Sequence, residues 1–281
     1  MAPNEKMSQA WNGGESVHYV DHAERYDRQL APFTAALLDH VRLASPHSVL
    51  DVGCGCGALT LAAAGIADSS VGVDISVPLL DVARERANAA RLGNVEFMVV
   101  DAQTYPFVPG AFDLVVSQFG LMFFDDPAGA FSNLRRSLVP GGRLAFVSWQ
   151  GLAANEWLTV IANEVADRVE LPEFGGLSRG PGMFALKDDG ETQKLLETAG
   201  FTNVTLERLT PEIVIGGGGT AEQSLDFLLG MGMVRGLLSL AGPGDRDDII
   251  EAIRLTLGER YEPEDGVRLG TGAWMVTAHA V

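Results

Sequence analysis

Short, nearly continuous apolar runs alternate along this chain with segments whose apolar residues recur at helical spacing. The runs are 48–53 (SVLDVG), 70–74 (SVGVD), 95–101 (VEFMVVD), 112–118 (FDLVVSQ) and 143–149 (RLAFVSW). Between them, 57–67, 78–93 and 127–142 predict helices, and Leu80, Ala83, Ala87 and Ala90 give the second one a small apolar face. Strands apolar on both faces and joined by helices belong to a parallel sheet covered on both sides. The pattern therefore predicts an α/β class, doubly wound.

The flanks read differently. Residues 1–19 are polar and glycine-containing, which suits an arm or lid. Leu30, Phe33, Leu37, Leu38 and Val41 predict a helix over 21–43, which Pro32 should break or restart. Beyond Trp149 come a helix (155–169), a Gly/Pro-rich loop (171–184), a helix (188–201) and a strand (203–215). Glycines 216–219 read as a flexible joint before helices over 221–240 and 245–258, and the chain closes on 267–281. The expected organisation is a single domain over 1–281. Its parts are an arm at 1–44, a core at 45–150, cap insertions at 151–184 and 216–258, and 185–215 and 259–281 completing the sheet.

Charge and cysteine content narrow the chemistry. A formal charge of −17 over 281 residues argues against nucleic acid and anionic membranes as partners. No apolar stretch is long enough for a membrane helix, and the N-terminus lacks the apolar segment of a signal peptide. Cys54 and Cys56 share one tight turn, poorly placed for a disulfide and without the further ligands of a zinc site. A cytoplasmic location and no metal are the expectations; oligomeric state is not legible.

Candidate chemistry gathers where the first strand ends. Gly53, Gly55 and Gly57 follow it at every second position, letting the backbone turn sharply and a ligand approach without a Cβ in the way. Such a turn also aims helix N-terminal N–H groups at the ligand. Dinucleotides and S-adenosylmethionine both use this device. Asp74, at the tip of the second run, suits ribose hydroxyls in either case, and Gly53-x-Gly55-x-x-Ala58 fits a lenient dinucleotide fingerprint. Other features bear on the choice: a long helical arm ahead of the first strand, Asp51 just before the turn, Gly57 completing GxGxG, Asp101 ending the third run, Ser117-Gln118 ending the fourth, and LVPGGRL (138–144) before the fifth.

With these motifs in order, the chain resembles the Rossmann-like (class I) S-adenosylmethionine-dependent methyltransferases of small-molecule type. The likeness is good over 30–150 and loose over 185–215. It implies a seven-stranded, mostly parallel sheet with helices on both faces and a helical cap or lid. It implies that Gly53, Cys54, Gly55 and Gly57 border the methionine part of S-adenosylmethionine, with Asp51 near its amino group. Asp74 would hold the ribose, Ile75 would pack on adenine, and Asp101 with Ala102 and Gln103 would face the adenine amino group. Ser117 and Gln118 would sit beside the sulfonium. In related enzymes an arm folds over the cofactor, which makes Tyr19 and Arg28 candidate contacts and His18 a candidate base. Phe119, Met122, Phe123, Trp149 and Met231 are candidate walls of the acceptor pocket. Ser117-Gln118-Phe119-Gly120 stands where methyltransferases of base amino groups carry Asn/Asp-Pro-Pro-Tyr/Phe, so the expected acceptor is a small, largely apolar metabolite. The alternatives are a fold that binds the cofactor without transferring methyl, and an NAD-dependent oxidoreductase.

Overall fold

The computed structural model describes residues 4–169 and 180–281. Three helices precede the first strand: α1 (Glu5–Trp11), α2 (Gly14–Asp21) and α3 (Ala23–Ala44). The alternating region follows as β1 (Ser48–Val52), α4 (Ala58–Ala63), β2 (Ser69–Asp74), α5 (Val77–Ala89), β3 (Val95–Val99), β4 (Phe112–Gln118), α6 (Pro127–Ser137) and β5 (Leu138–Trp149). Next come α7 (Glu156–Ala166), α8 (Asp189–Thr198), β6 (Phe201–Leu209) and β7 (Glu212–Val214). Helices α9 (Ala221–Gly230), α10 (Gly232–Leu238) and α11 (Pro243–Glu259) lead to β8 (Tyr261–Glu262), β9 (Gly266–Gly270) and β10 (Ala273–Ala280).

Seven strands form the main sheet in the order β3-β2-β1-β4-β5-β10-β6. The first five are mutually parallel, and β10 runs antiparallel between β5 and β6. Strand order reverses between β1 and β4, and in such sheets the crevice beyond the strand ends at that point receives the ligand. Buried side chains from sheet and helices form one continuous cluster, from Leu50 and Val115 in the strands to Ile253 and Leu257 in α11.

Several expectations are corrected. Helix α3 runs through Pro32 without a break. Pro32 offers no N–H to the Arg28 carbonyl, a cost of ~3 kcal/mol in a helix interior. Phe33, Leu37 and Val41 on the same helix are fully buried, and each contributes about 1.5–3 kcal/mol by leaving water. Packing outweighs propensity. The strand expected over 203–215 splits at Thr210-Pro211: β6 joins the main sheet, while β7 pairs with β9 in a separate antiparallel sheet of order β7-β9-β8. Only β6 and β10 therefore complete the main sheet. The helix expected over 221–240 breaks at Met231, whose backbone is extended.

Glycines 216–219 are not a flexible joint. All four adopt positive φ, and Gly216 is buried under α3. The Gly216 N–H donates to Gln29 Oε1 (2.7 Å), while Arg25 and Arg28 donate to the Gly216 and Gly217 carbonyls (2.8 and 3.0 Å). A Cβ on Gly216 or Gly217 would collide with those arginines. Glycine stands here because α3 approaches too closely for anything larger.

Candidate functional site

The glycine turn sits at the crevice between β1 and β4. Gly53 and Cys54 donate their N–H groups to the Val73 carbonyl (2.8 and 3.1 Å), which ties the turn to β2. The three glycines have positive φ but different neighbours. A Cβ on Gly53 would lie 2.8 Å from Gly120 Cα, and one on Gly57 2.9 Å from Ala83 Cβ. On Gly55 it would meet nothing within 4 Å. Gly55 borders open space, and that space is a cavity which Gly53, Cys54 and Cys56 also line.

Among the described residues, four carboxylates line the same cavity; Asp27 is paired with Arg86, and Asp51, Asp74 and Asp101 stand at the glycine turn and the strand ends. Asp51 is 1% exposed; its Oδ2 accepts from Thr60 Oγ1 at 2.6 Å, while the buried Oδ1 has no partner. Burial, with a smaller contribution from the charge of Asp74, pushes the Asp51 carboxyl up to about 7. Asp74 accepts from the N–H groups of Gly55 and Ser76, both at 2.9 Å, and so clamps the glycine turn; burial nevertheless raises its pKa. Asp101 Oδ1 accepts from the Gln103 N–H (2.9 Å) and from Asn4 Nδ2 (2.8 Å). Such an array can take a ligand bearing a cation near Asp51, hydroxyl donors at the spare lone pairs of Asp74, and an N–H donor near Asp101.

The rest of the wall is aromatic and thioether. Phe119 stacks on Trp149 with ring centroids 3.9 Å apart and planes at 10°. Its φ of 60° is unusual for a bulky residue. The turn it forms after β4 sets the following Gly120 against β1, where a Cβ would lie 2.6 Å from the Val52 carbonyl oxygen. Met122, Phe123, Met183 and Met231 complete this side. Thr34 Oγ1 donates to Gln118 Oε1 (2.8 Å), fixing the carboxamide where β4 meets the cavity.

Helices α1 and α2 are fastened over the ends of β2 and β3. Asn4 exchanges hydrogen bonds with Asp125 through its N–H and Oδ1, both at 2.8 Å, besides its bond to Asp101. Asn12 bonds the Ile75 carbonyl and the Val77 N–H, each at 2.9 Å, and Ser76 Oγ donates to the Trp11 carbonyl at 2.6 Å. The Trp11 ring packs edge-on against Tyr19 and Phe123.

Tyr19, Asp51, Gly53, Cys54, Gly55, Asp74, Ile75, Asp101, Ala102 and Gln118 thus meet in one cavity with Phe119, Met122, Phe123, Trp149 and Met231. Five expected site residues stand elsewhere. Gly57 faces Ala83 and Phe97 as the N-cap of α4. Arg28 reaches the Gly217 carbonyl and Glu24 instead of the cavity. Ser117 is fully buried and donates to the Val52 carbonyl (2.6 Å), tying β4 to β1. Gln103 supplies its N–H to Asp101 and its Oε1 to the Asp126 N–H. His18 lies one layer behind the wall, its Nδ1 2.9 Å from the Tyr26 hydroxyl. Of the expected cap loop, 171–179 falls outside the described residues.

Asn4, Tyr26, Thr34 and Thr60 were missed. Tyr26 was detectable as an early member of the buried stripe of α3, seven positions before Phe33. Nothing local marks the others, whose partners are distant in sequence. Among the described residues no group of metal-ligating side chains could hold an ion, and no helix is long and apolar enough to cross a membrane.

Residues 50–146 match the family model described as a methyltransferase domain. Aklanonic acid methyltransferase DauC of Streptomyces sp. (strain C5) is 35% identical over 44% of this chain and 59% of its own length. The ubiquinone/menaquinone biosynthesis C-methyltransferase UbiE of Cellvibrio japonicus (strain Ueda107) is 32% identical over 60% of this chain and 72% of its own length. The chain thus covers less than two thirds of the first of these relatives and somewhat more of the second. Among solved structures, geranyl diphosphate C-methyltransferase from Streptomyces coelicolor A3(2) aligns with a TM-score of 0.52 at 20% identity, over 89% of this chain and 76% of that one. At that identity the likeness concerns the fold.

Proposed function

Because the chain belongs to the class I, Rossmann-like S-adenosylmethionine-dependent methyltransferases, we propose that it transfers a methyl group to a small, largely apolar metabolite. One observation carries the reading: a single cavity joins an acidic end at the glycine turn to an aromatic and thioether end under the cap.

The residues present fit the cofactor. The unpartnered Oδ1 of buried Asp51 calls for a cation, which the methionine ammonium supplies. Gly55 leaves the space a cofactor needs, Asp74 keeps lone pairs for ribose hydroxyls, and Asp101 keeps one for the adenine amino group. When bound, S-adenosylmethionine supplies an electrophilic methyl on a sulfonium. The chain's own task is to align the acceptor and exclude water, which the α1–α2 strap and the aromatic wall both serve. Such a displacement needs a base only when the nucleophile arrives protonated.

The relatives named above methylate, by their names, aklanonic acid and the precursors of quinones; an apolar acceptor agrees with the walls here. Free Cys54 and Cys56 suit a reducing compartment, so the cytoplasm is the proposed location. The acidic balance of the chain speaks against a nucleic-acid partner.

Isothermal calorimetry with S-adenosylhomocysteine and, separately, NAD tests the cofactor. Binding of the first alone is expected. Asp74→Ala should cost about 2–3 kcal/mol of that affinity, since it removes charge-assisted bonds and unclamps the turn. NAD binding in its place would overturn the reading. An acceptor screen for methylated product then separates an active enzyme from a silent cofactor binder.

A further inference from the structure

We infer that Tyr26, held in place by His18, orients the acceptor by donating a hydrogen bond to one of its oxygens. The acceptor accordingly carries a carbonyl, enolate or phenolate oxygen on its apolar frame. This rests on the methyl-transfer reading above and adds to it the polar group by which the substrate is recognised.

Tyr26 lines the cavity and is 4% exposed. Its ring is sandwiched: Tyr19 stacks on it with centroids 3.7 Å apart and planes at 5°, and Phe227 lies 4.9 Å away. The hydroxyl is 2.9 Å from His18 Nδ1. The other imidazole nitrogen, Nε2, is buried without a hydrogen-bond partner and lies against Gly230, where any side chain would collide with it.

This environment decides the tautomer. A neutral imidazole carries one N–H. Placed on Nε2, that proton would be a buried donor against Gly230 that nothing can pair; on Nδ1 it reaches the Tyr26 oxygen, and the donor left over is the phenolic O–H of a residue that lines the cavity. The unpaired donor is the costlier arrangement. His18 therefore donates to Tyr26, and the phenolic proton of Tyr26 is left for a partner on the cavity side. Burial raises the Tyr26 pKa and, with the charges of His22 and Arg235, lowers that of His18 to about 4. Neither group takes up or releases a proton near neutral pH. The pair works as an oriented donor and is not itself a base.

The remaining lining leaves this role to neutral groups. Among the described residues the cavity's charged side chains are Asp27, Asp51, Asp74 and Asp101, with no Lys, Arg or His. Asp27 is paired with Arg86 at 2.9 Å. The Gln29 and Gln118 carboxamide oxygens accept from the Gly216 N–H and Thr34 Oγ1, so the other neutral donors of the wall include their amide groups and the buried, unpartnered Trp157 Nε1. Tyr26 is the hydroxyl that the surrounding packing fixes in direction.

The test uses the full chain saturated with S-adenosylhomocysteine and two matched probes. 1-Tetralone is a bicyclic aryl ketone that can only accept a hydrogen bond; tetralin is the same frame without the oxygen. The parent protein should prefer the ketone by about fivefold or more, as one net hydrogen bond allows. Tyr26→Phe keeps the stacked ring and should bring the preference close to one, with S-adenosylhomocysteine affinity within about twofold of the parent. His18→Asn, whose amide can replace the Nδ1–H donor, should retain most of the preference, and His18→Leu should lose it. A preference that survives Tyr26→Phe, or a protein that takes neither probe, overturns the inference. So does His18→Asn falling as far as His18→Leu, because an amide N–H in that place would then not replace the imidazole. Failure to bind S-adenosylhomocysteine at all overturns the proposed function instead.

Discussion

Asp51 is a buried carboxylate with one oxygen satisfied and one waiting. Its pKa rises from 3.8 to about 7 in the ligand-free fold. The stability it contributes is therefore complete below pH 3.8 and is lost as pH climbs through about 7. A bound ammonium reverses this preference by favouring the carboxylate. S-adenosylhomocysteine affinity should consequently rise with pH up to about 7 and then level off, measured by calorimetry between pH 5.5 and 8.5. Asp51→Asn should flatten that profile and cost about 1.5–3 kcal/mol of affinity. The same variant should leave the ligand-free protein no less stable at pH 8, because the uncompensated buried charge is gone. The glycines give a second contrast. Gly55→Val should abolish cofactor binding while circular dichroism stays native, since the new side chain enters the cavity. Gly57→Val should lower the melting temperature first, because it meets Ala83 and Phe97. All three glycines were legible as a ligand turn; that one of them serves packing was not, because its neighbours come from α5 and β3.

Helix α3 shows how much a periodic pattern conveys and where it stops. Its buried stripe of Phe33, Leu37 and Val41 was readable from spacing, but its continuity through Pro32 depends on what the stripe packs against. Pro32 is exposed on the outer face, so Pro32→Ala restores a backbone hydrogen bond without disturbing the core. It should stabilise the fold by about 1–3 kcal/mol in urea titrations; a loss of stability would mean that the proline is accommodated by something other than packing. The α1–α2 strap is held mainly by polar bonds from Asn4, Asn12 and Ser76. Each contributes about 0.5–1.5 kcal/mol. The double variant Asn4→Ala/Asn12→Ala should therefore speed S-adenosylhomocysteine release by about tenfold in stopped-flow traces. Amide exchange in α1 and α2 should accelerate while that of β1 and β4 stays unchanged. The arm before the first strand was recognisable as a separate element, yet none of its clasps was, since the partners lie far along the chain.

A charge of −17 acts on the fold as self-repulsion. Most of the ion pairs are solvent-exposed, such as Arg42 with Asp39 and Arg254 with Glu222, and pairs of that kind contribute little. Raising NaCl from about 20 to about 200 mM shortens the screening length from about 20 Å to about 7 Å. The melting temperature should rise in calorimetric scans as repulsion between like charges is screened. A fall would show that the surface pairs outweigh the net charge.

The sequence by itself determined the parallel, doubly wound sheet and the acidic, glycine-lined end of the cavity. Those features depend on local signals: apolar runs, helical spacing, turn glycines, and acids at strand ends. Tertiary structure alone decided the rest. It placed Arg28 and glycines 216–219 against each other and not beside a ligand. It turned Ser117 into a tie between strands and set His18 behind Tyr26. It moved β7 into a second sheet. Each of these outcomes depends on which distant segment supplies a neighbour within a few ångströms. No pattern along the chain encodes that distance; only the packed fold sets it, because close packing leaves each of these side chains one space to fill.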